Sequence, residues 1–283
     1  MRTAEQITDV VTFHGEGPVW SLEWGGLRFV DMLAGGVLTL RDDGEVDRIT
    51  VGKVAAMVRP RASGGYVVAT EDGVALADDV TSAPTRSIRL TDREGERMNE
   101  GGAAPDGSLY VGSMAWDGSP DGGRLYRVMP DGGTQVVLDP VSISNGLGFS
   151  PDHTRAYYVD SGAGRMDVFD VVAGILLDRR PFVSLPREQG DLDGLTVDAQ
   201  GTVWVAVYGG GHVRRYSPDG ELLEVVDLPV PHVTACTLGG PGLTDLLVTT
   251  SRGGLGDDAP PGAGAVYRVD VDVPGLPVLP FAG

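Results

Sequence analysis

The stretch Asp106-Gly107-Ser108-Leu109-Tyr110-Val111-Gly112 decides the fold, because it returns along the whole chain. A turn followed by a short apolar or aromatic strand recurs as Gly25-Gly26-Leu27-Arg28-Phe29-Val30-Asp31 and as Gly64-Gly65-Tyr66-Val67-Val68-Ala69-Thr70. It recurs again as Thr154-Arg155-Ala156-Tyr157-Tyr158-Val159-Asp160, as Gln200-Gly201-Thr202-Val203-Trp204-Val205-Ala206 and as Leu243-Thr244-Asp245-Leu246-Leu247-Val248-Thr249. Each copy is followed by a second strand pattern: 36–40, 73–77, 123–128, 164–169, 211–216 and 264–269. Asp43-Gly44, Asp131-Gly132 and Asp219-Gly220 supply the tight turns that hairpins need. Aligned on Val30, Val68, Val111, Tyr158, Val205 and Val248, the copies stand roughly 40–50 residues apart, the period of a β-propeller blade.

Six such units fill the 283 residues and leave no room for a second domain. The expected architecture is all-β: one six-bladed propeller over residues 1–283, with about four antiparallel strands per blade around a central channel. An irregular β-sandwich or barrel with chance turn similarity is the competing reading, and the regular spacing weighs against it. The last unit runs short of chain, so an N-terminal strand around Ile7 to Phe13 is expected to pair with it and remove exposed sheet edges.

Composition agrees. Glycine is 43 of 283 residues, about twice the usual ~7%, which suits many tight turns and few long helices. Acidic residues outnumber basic ones 40 to 22, for a net charge of −18. That field repels phosphate backbones and anionic lipid, so neither nucleic acid nor membrane is an expected partner. The single cysteine, Cys236, excludes a disulfide framework and a cysteine-based zinc site. No apolar signal region follows Arg2, and no apolar run nears the ~20 residues of a membrane span. A cytoplasmic protein, a monomer or small homo-oligomer, is expected.

Function is read from one phase of the repeat. Twelve to fourteen residues before the anchor positions stand Glu16, Asn99, Asn145 and Asp193. Rotation about a propeller axis brings equivalent positions together, just before the innermost strands, at one end of the channel. Two carboxylates and two amides make a hard, oxygen-only shell suited to one divalent metal ion, Ca²⁺, Mg²⁺, Mn²⁺ or Zn²⁺. Asn or Asp before Gly is also an ordinary turn residue, but four at one phase favour the shell. Two carboxylates buried together without a cation are costly. His14, His153, His212 and His232 form no paired motif, and no nucleophile elbow, Walker loop or dinucleotide fingerprint is present.

The segments Gly15-Glu16-Gly17-Pro18-Val19-Trp20, Arg97-Met98-Asn99-Glu100-Gly101, Ile143-Ser144-Asn145-Gly146-Leu147 and Asp193-Gly194-Leu195, in this order and spacing, resemble the senescence marker protein/regucalcin/gluconolactonase family of six-bladed propellers. The terminal Phe281-Ala282-Gly283 is similar to that family's ending. The resemblance implies a divalent metal on Glu16, Asn145 and Asp193, with Asn99 near or on it. It implies that Arg97 and Asn99 contact substrate oxygens, and that Asp117 stands where the family places a substrate-side acid, often Glu. The implied reaction is metal-assisted hydrolysis of a lactone, a small-molecule substrate, with Asp193 as the base that deprotonates the attacking water. Phosphotriester hydrolysis at the same metal and a non-catalytic metal-binding propeller are the alternatives. A strictosidine-synthase-like propeller would not carry the carboxylates Glu16 and Asp193.

Overall fold

The computed structural model describes residues 2–283 and consists of six antiparallel four-stranded sheets arranged as the blades of a β-propeller. The innermost strands are Gly15–Ser21, Met57–Pro60, Glu96–Ala103, Ser144–Phe149, Asp191–Val197 and Val233–Gly239, for blades 1 to 6. From each, the chain steps outward through consecutive hairpins, as in blade 1: Gly26–Asp31, Gly36–Leu40, Val46–Thr50. Helix is limited to short 3-10 turns, and no helix among the described residues is long and apolar enough to cross a membrane.

The core is six cores. Each of the six buried apolar clusters lies between two neighbouring blades. The second strand of blade 5 shows how alternation builds them. Val203, Val205 and Val207 point into the interface with blade 4, and Trp204 and Ala206 into the interface with blade 6. Both faces of such a strand leave water, so its sequence is apolar throughout. A half-solvated strand would alternate.

Ring closure differs in detail from the sequence expectation. Blade 6 takes its outer strand from the N-terminal part of the chain, but that strand is Glu5–Gln6, paired antiparallel with Tyr267–Asp270. Residues 7–13 instead run along the blade as irregular chain, held by Ile7 N–H to Val266 O (2.9 Å) and Thr12 N–H to Gly264 O (3.1 Å). Ile7 and Val11 are apolar because they pack onto the blade 1/blade 6 cluster, not because they form a ladder. Arg2–Thr3 adds a further parallel strand to the edge of blade 5. At the other end, residues 274–283 form a strap that starts against Ala199 of blade 5 and Leu238 of blade 6. It ends with Phe281 buried between blades 2 and 3 and Ala282 N–H bonded to Gly107 O.

Candidate functional site

Bulges in the inner strands aim the polar side chains. In blade 3 the pairing passes from Met98 opposite Ser113 to Gly101 opposite Val111, so Asn99 and Glu100 together face Gly112. The same two-against-one step occurs at Asn145-Gly146 in blade 4 and Asp193-Gly194 in blade 5, and blade 1 steps just after Glu16. Such a step bends the strand and re-aims its side chains. Glu16, Asn99, Asn145 and Asp193 therefore lie within the innermost strands and not before them, as the repeat phase alone suggested. All four are buried.

Glu16 Oε2 accepts from the N–H of Gly17 (3.0 Å), and Oε1 lies 3.9 Å from His14 Nε2. His14 Nδ1 meets Ser251 Oγ at 2.7 Å. Burial, with Arg97 nearby, lowers the His14 pKa to about 4, so the ring is neutral at pH 7. Asn145 Nδ2 donates to Ser161 Oγ (2.9 Å), and that hydroxyl donates to Leu192 O (2.6 Å). The chain of bonds fixes the amide with its oxygen turned the other way. Asn145 Oδ1 and Asp193 Oδ1 are buried and have no hydrogen-bond partner among the described residues. The Asp193 carboxyl is held far toward its protonated form, by burial first and then by Glu16 and Glu100; Glu16 is raised by burial and by Glu100.

Arg97 Nη1 donates to Asn99 Oδ1 (2.8 Å) and to Met98 O (3.1 Å), and lies 3.3 Å from Met32 Sδ. Burial lowers its pKa to about 10, which leaves it charged at neutral pH. Asn99 Nδ2 donates to Ser144 O (2.9 Å). Both ends of the Asn99 amide are thus engaged, and its most direct action is to hold Arg97.

The structure does not bring Asp117 into this cluster. Its carboxylate is exposed, and Oδ1 accepts from Ser119 N–H (2.9 Å) and Ser119 Oγ (2.6 Å). These bonds hold its pKa below the usual carboxylate value. A short side chain in the turn 117–119 satisfies the turn's own backbone instead of reaching inward. Its neighbour Trp116 does cover the site, with its ring 5.4 Å from the Arg97 guanidinium.

Glu100 is the buried acid to which the motif reading assigned no role. The second bulge position is glycine in blades 4 and 5, Gly146 and Gly194, but Glu100 in blade 3. A Cβ placed on Gly194 would stand 3.1 Å from Glu100 Oε2 and 2.8 Å from Ala235 Cα, so the missing side chain of blade 5 makes room for the carboxylate of blade 3. Burial raises the Glu100 pKa to about 7, against the pull of Arg59, whose Nη2 is 3.8 Å from Oε1. An Asn-Glu pair at the phase where other blades carry Asn-Gly and Asp-Gly was the available signal.

Glu100 and Arg59 also line a cavity of about 320 Å³ between the later halves of the inner strands and the strap residues Leu276–Leu279. Glu16, Asn145 and Asp193 are not among the residues lining it.

A hard divalent cation fits the residues present. The donors are oxygen atoms, two of them without partners, and two carboxyls are pushed toward protonation by burial and by the carboxyls beside them. Among the described residues no three His, Cys, Asp or Glu side chains form a ligand group by themselves. The candidate set is two carboxylates completed by amide oxygen.

Residues 14–252 match the model of the SMP-30/gluconolactonase/LRE-like region. Regucalcin of Homo sapiens is 35% identical over 285 residues, and that of Danio rerio 33% over 279, in both cases covering 95% of each chain. A crystal structure described as a calcium-binding protein, regucalcin, from Agrobacterium tumefaciens superposes with a TM-score of 0.93 at 27% identity, covering 99% of this chain and 97% of that one. A luciferin-regenerating enzyme superposes with a TM-score of 0.89 at 31% identity over the full length of both chains.

Proposed function

This chain belongs to the SMP-30/gluconolactonase/LRE-like family, and we propose that it is a lactonase, a hydrolase that opens a lactone ring at the cluster of Glu16, Asn99, Asn145 and Asp193. The observation that carries the reading is the buried pair of carboxyls beside the unpartnered Asn145 oxygen, with a charged guanidinium at the same mouth. Glu16, Asn145 and Asp193 would hold a divalent cation, which supplies Lewis-acid polarisation of the lactone carbonyl.

The remaining work belongs to the chain's own groups. With the cation bound and its own proton released, the Asp193 carboxylate, whose Oδ1 has no hydrogen-bond partner among the described residues, would accept the proton of the attacking water. Arg97 donates to oxygens of the ring, and Asn99 holds the guanidinium in place. His14, neutral and tied to Ser251, stays out of acid–base exchange near pH 7.

The test is a panel of sugar and aliphatic lactones assayed by acid release, after EDTA and after return of Ca²⁺, Mg²⁺, Mn²⁺ or Zn²⁺. Acid release that falls with EDTA and returns with one ion supports the reading. No acid above the uncatalysed rate with any ion overturns it. A binding role without catalysis draws support from the description of the Agrobacterium relative as calcium-binding. It predicts thermal stabilisation by the ion in a protein that consumes no lactone.

A further inference from the structure

We infer that the cavity between the inner strands and the strap is a further binding site, and that it takes a small neutral alcohol, a hydroxyl head on an apolar body; this is independent of the lactonase reading above. The space measures about 320 Å³, at the lower end of ligand pockets. Much of its wall comes from residues two apart on three inner strands: Leu147 and Phe149 in blade 4, Leu195 and Val197 in blade 5, Cys236 and Leu238 in blade 6. These side chains are only 3–7% exposed. The strap adds Leu276, Val278 and Leu279, all partly buried. Pro151, His153 and Pro277 are the exposed residues of the lining and mark the mouth. An apolar body inside therefore meets side chains already withdrawn from water.

The polar groups of the lining say what the head must be. Glu100 is 3% exposed, and its Oε2 has no hydrogen-bond partner among the described residues. The Nη2 of Arg59 stands 3.8 Å from Glu100 Oε1, beyond hydrogen-bond reach but close enough for the two charges to offset. Arg59 donates from Nη1 to Val58 O (2.7 Å) and from Nη2 to Gly101 O (2.6 Å), and each of these nitrogens carries a second N–H. Trp20 Nε1 is a buried donor that also lacks a partner. Thr196 and Thr237, the lining hydroxyls, are half-buried, so water still reaches them. The orphaned atoms of the lining are thus an acceptor and a donor, and leaving either unpaired costs free energy. A hydroxyl both donates and accepts. An ammonium head would be repelled by Arg59 and a carboxylate head by Glu100; a hydroxyl is repelled by neither. Alkyl carbons behind it gain by burial against the leucines and valines.

Methyl NMR titrations of the protein with 1-butanol, 1-hexanol, hexylamine and hexanoate test this. Followed at Leu195, Leu238 and Val278, they read affinity at this cavity, so a carboxylate taken up elsewhere does not enter. The alcohols should shift these methyls saturably, with affinity rising about fourfold per methylene, as burial of each CH₂ requires. Hexanol should bind about tenfold or more tightly than hexylammonium or hexanoate, each of which meets a like charge. In Glu100→Ala hexanoate should overtake hexanol, because Arg59 then stands without its counter-charge. Shifts that spare these three residues, or that never saturate, overturn the inference. Equal affinity for butanol and hexanol overturns the apolar body, and a charged probe that matches hexanol overturns the hydroxyl head. A wild-type order that Glu100→Ala leaves unchanged overturns the part given to Glu100. The wild-type series decides between these outcomes without any variant having to fold, and none of them is read through lactone turnover.

Discussion

Replacing Glu100 by Gln removes a charge from one of the buried carboxyls of the channel and should change how stability depends on pH. Glu100 has an ordinary value of 4.5 and is raised by burial to about 7 in the folded chain. Below pH 4.5 the carboxyl is protonated folded and unfolded, and it adds no penalty. Between 4.5 and 7 the unfolded chain releases the proton while the folded chain keeps it, so stability falls as pH rises. Above 7 the loss is complete. At 1.36 kcal/mol per pKa unit the gap is on the order of 3 kcal/mol. For a chain of this size that is roughly 6–12 °C in Tm. Metal-free Glu100→Gln protein should therefore match wild type near pH 4.5 and melt higher by about that amount at pH 8. Thermal unfolding followed by circular dichroism in EDTA across pH 4.5–8.5 gives the answer. If the variant melts lower than wild type at pH 8, or the two curves stay parallel, then Glu100 is not the strained acid that its geometry makes it.

Four further outcomes follow from the same site and from the closure of the ring. Asp193→Asn at saturating metal should lower lactone turnover by about 10²–10⁴-fold, the usual share of general-base catalysis, and near-wild-type kcat would assign the base elsewhere. A divalent ion at a hundredfold excess over Kd should stabilise the protein by about 2.7 kcal/mol. Because Glu16 and Asp193 must give up protons to the ion, binding should release protons and tighten as pH rises; calorimetry in buffers of different ionisation heat reads this directly. Deleting residues 2–6 should expose the edge of Tyr267–Asp270, lower Tm by on the order of 5 °C or more and promote aggregation; an unchanged melting curve would contradict strand closure by Glu5–Gln6.

The second strand of each blade was plain in the sequence because both of its faces are buried between blades, as with Val203 to Val207. The outer strands were not. Arg86–Arg89 and Val46–Thr50 lie at exposed edges, and their mixed, charged sequences carry no period that separates them from loop. The N-terminal strand was misplaced for the same reason: the edge pair is polar Glu5–Gln6, while the apolar residues after it serve packing. In the cluster, Glu16, Asn99, Asn145 and Asp193 stood out because rotation about the axis converts repeat phase into proximity. Glu100 and Asp117 depend on local backbone that phase does not report. A bulge turns Glu100 inward, and a three-residue turn claims Asp117 for Ser119.

The outer strand of blade 6 has a consequence for synthesis. Glu5 and Gln6 leave the ribosome some 260 residues before their partners Arg268 and Tyr267. Blades 1 to 5 can each complete a hairpin sheet as they emerge, but blade 6 cannot acquire its fourth strand until an early segment is fetched back from the opposite end of the nascent chain. Until that segment docks, the outer edge of Tyr267–Asp270 is left without a partner strand.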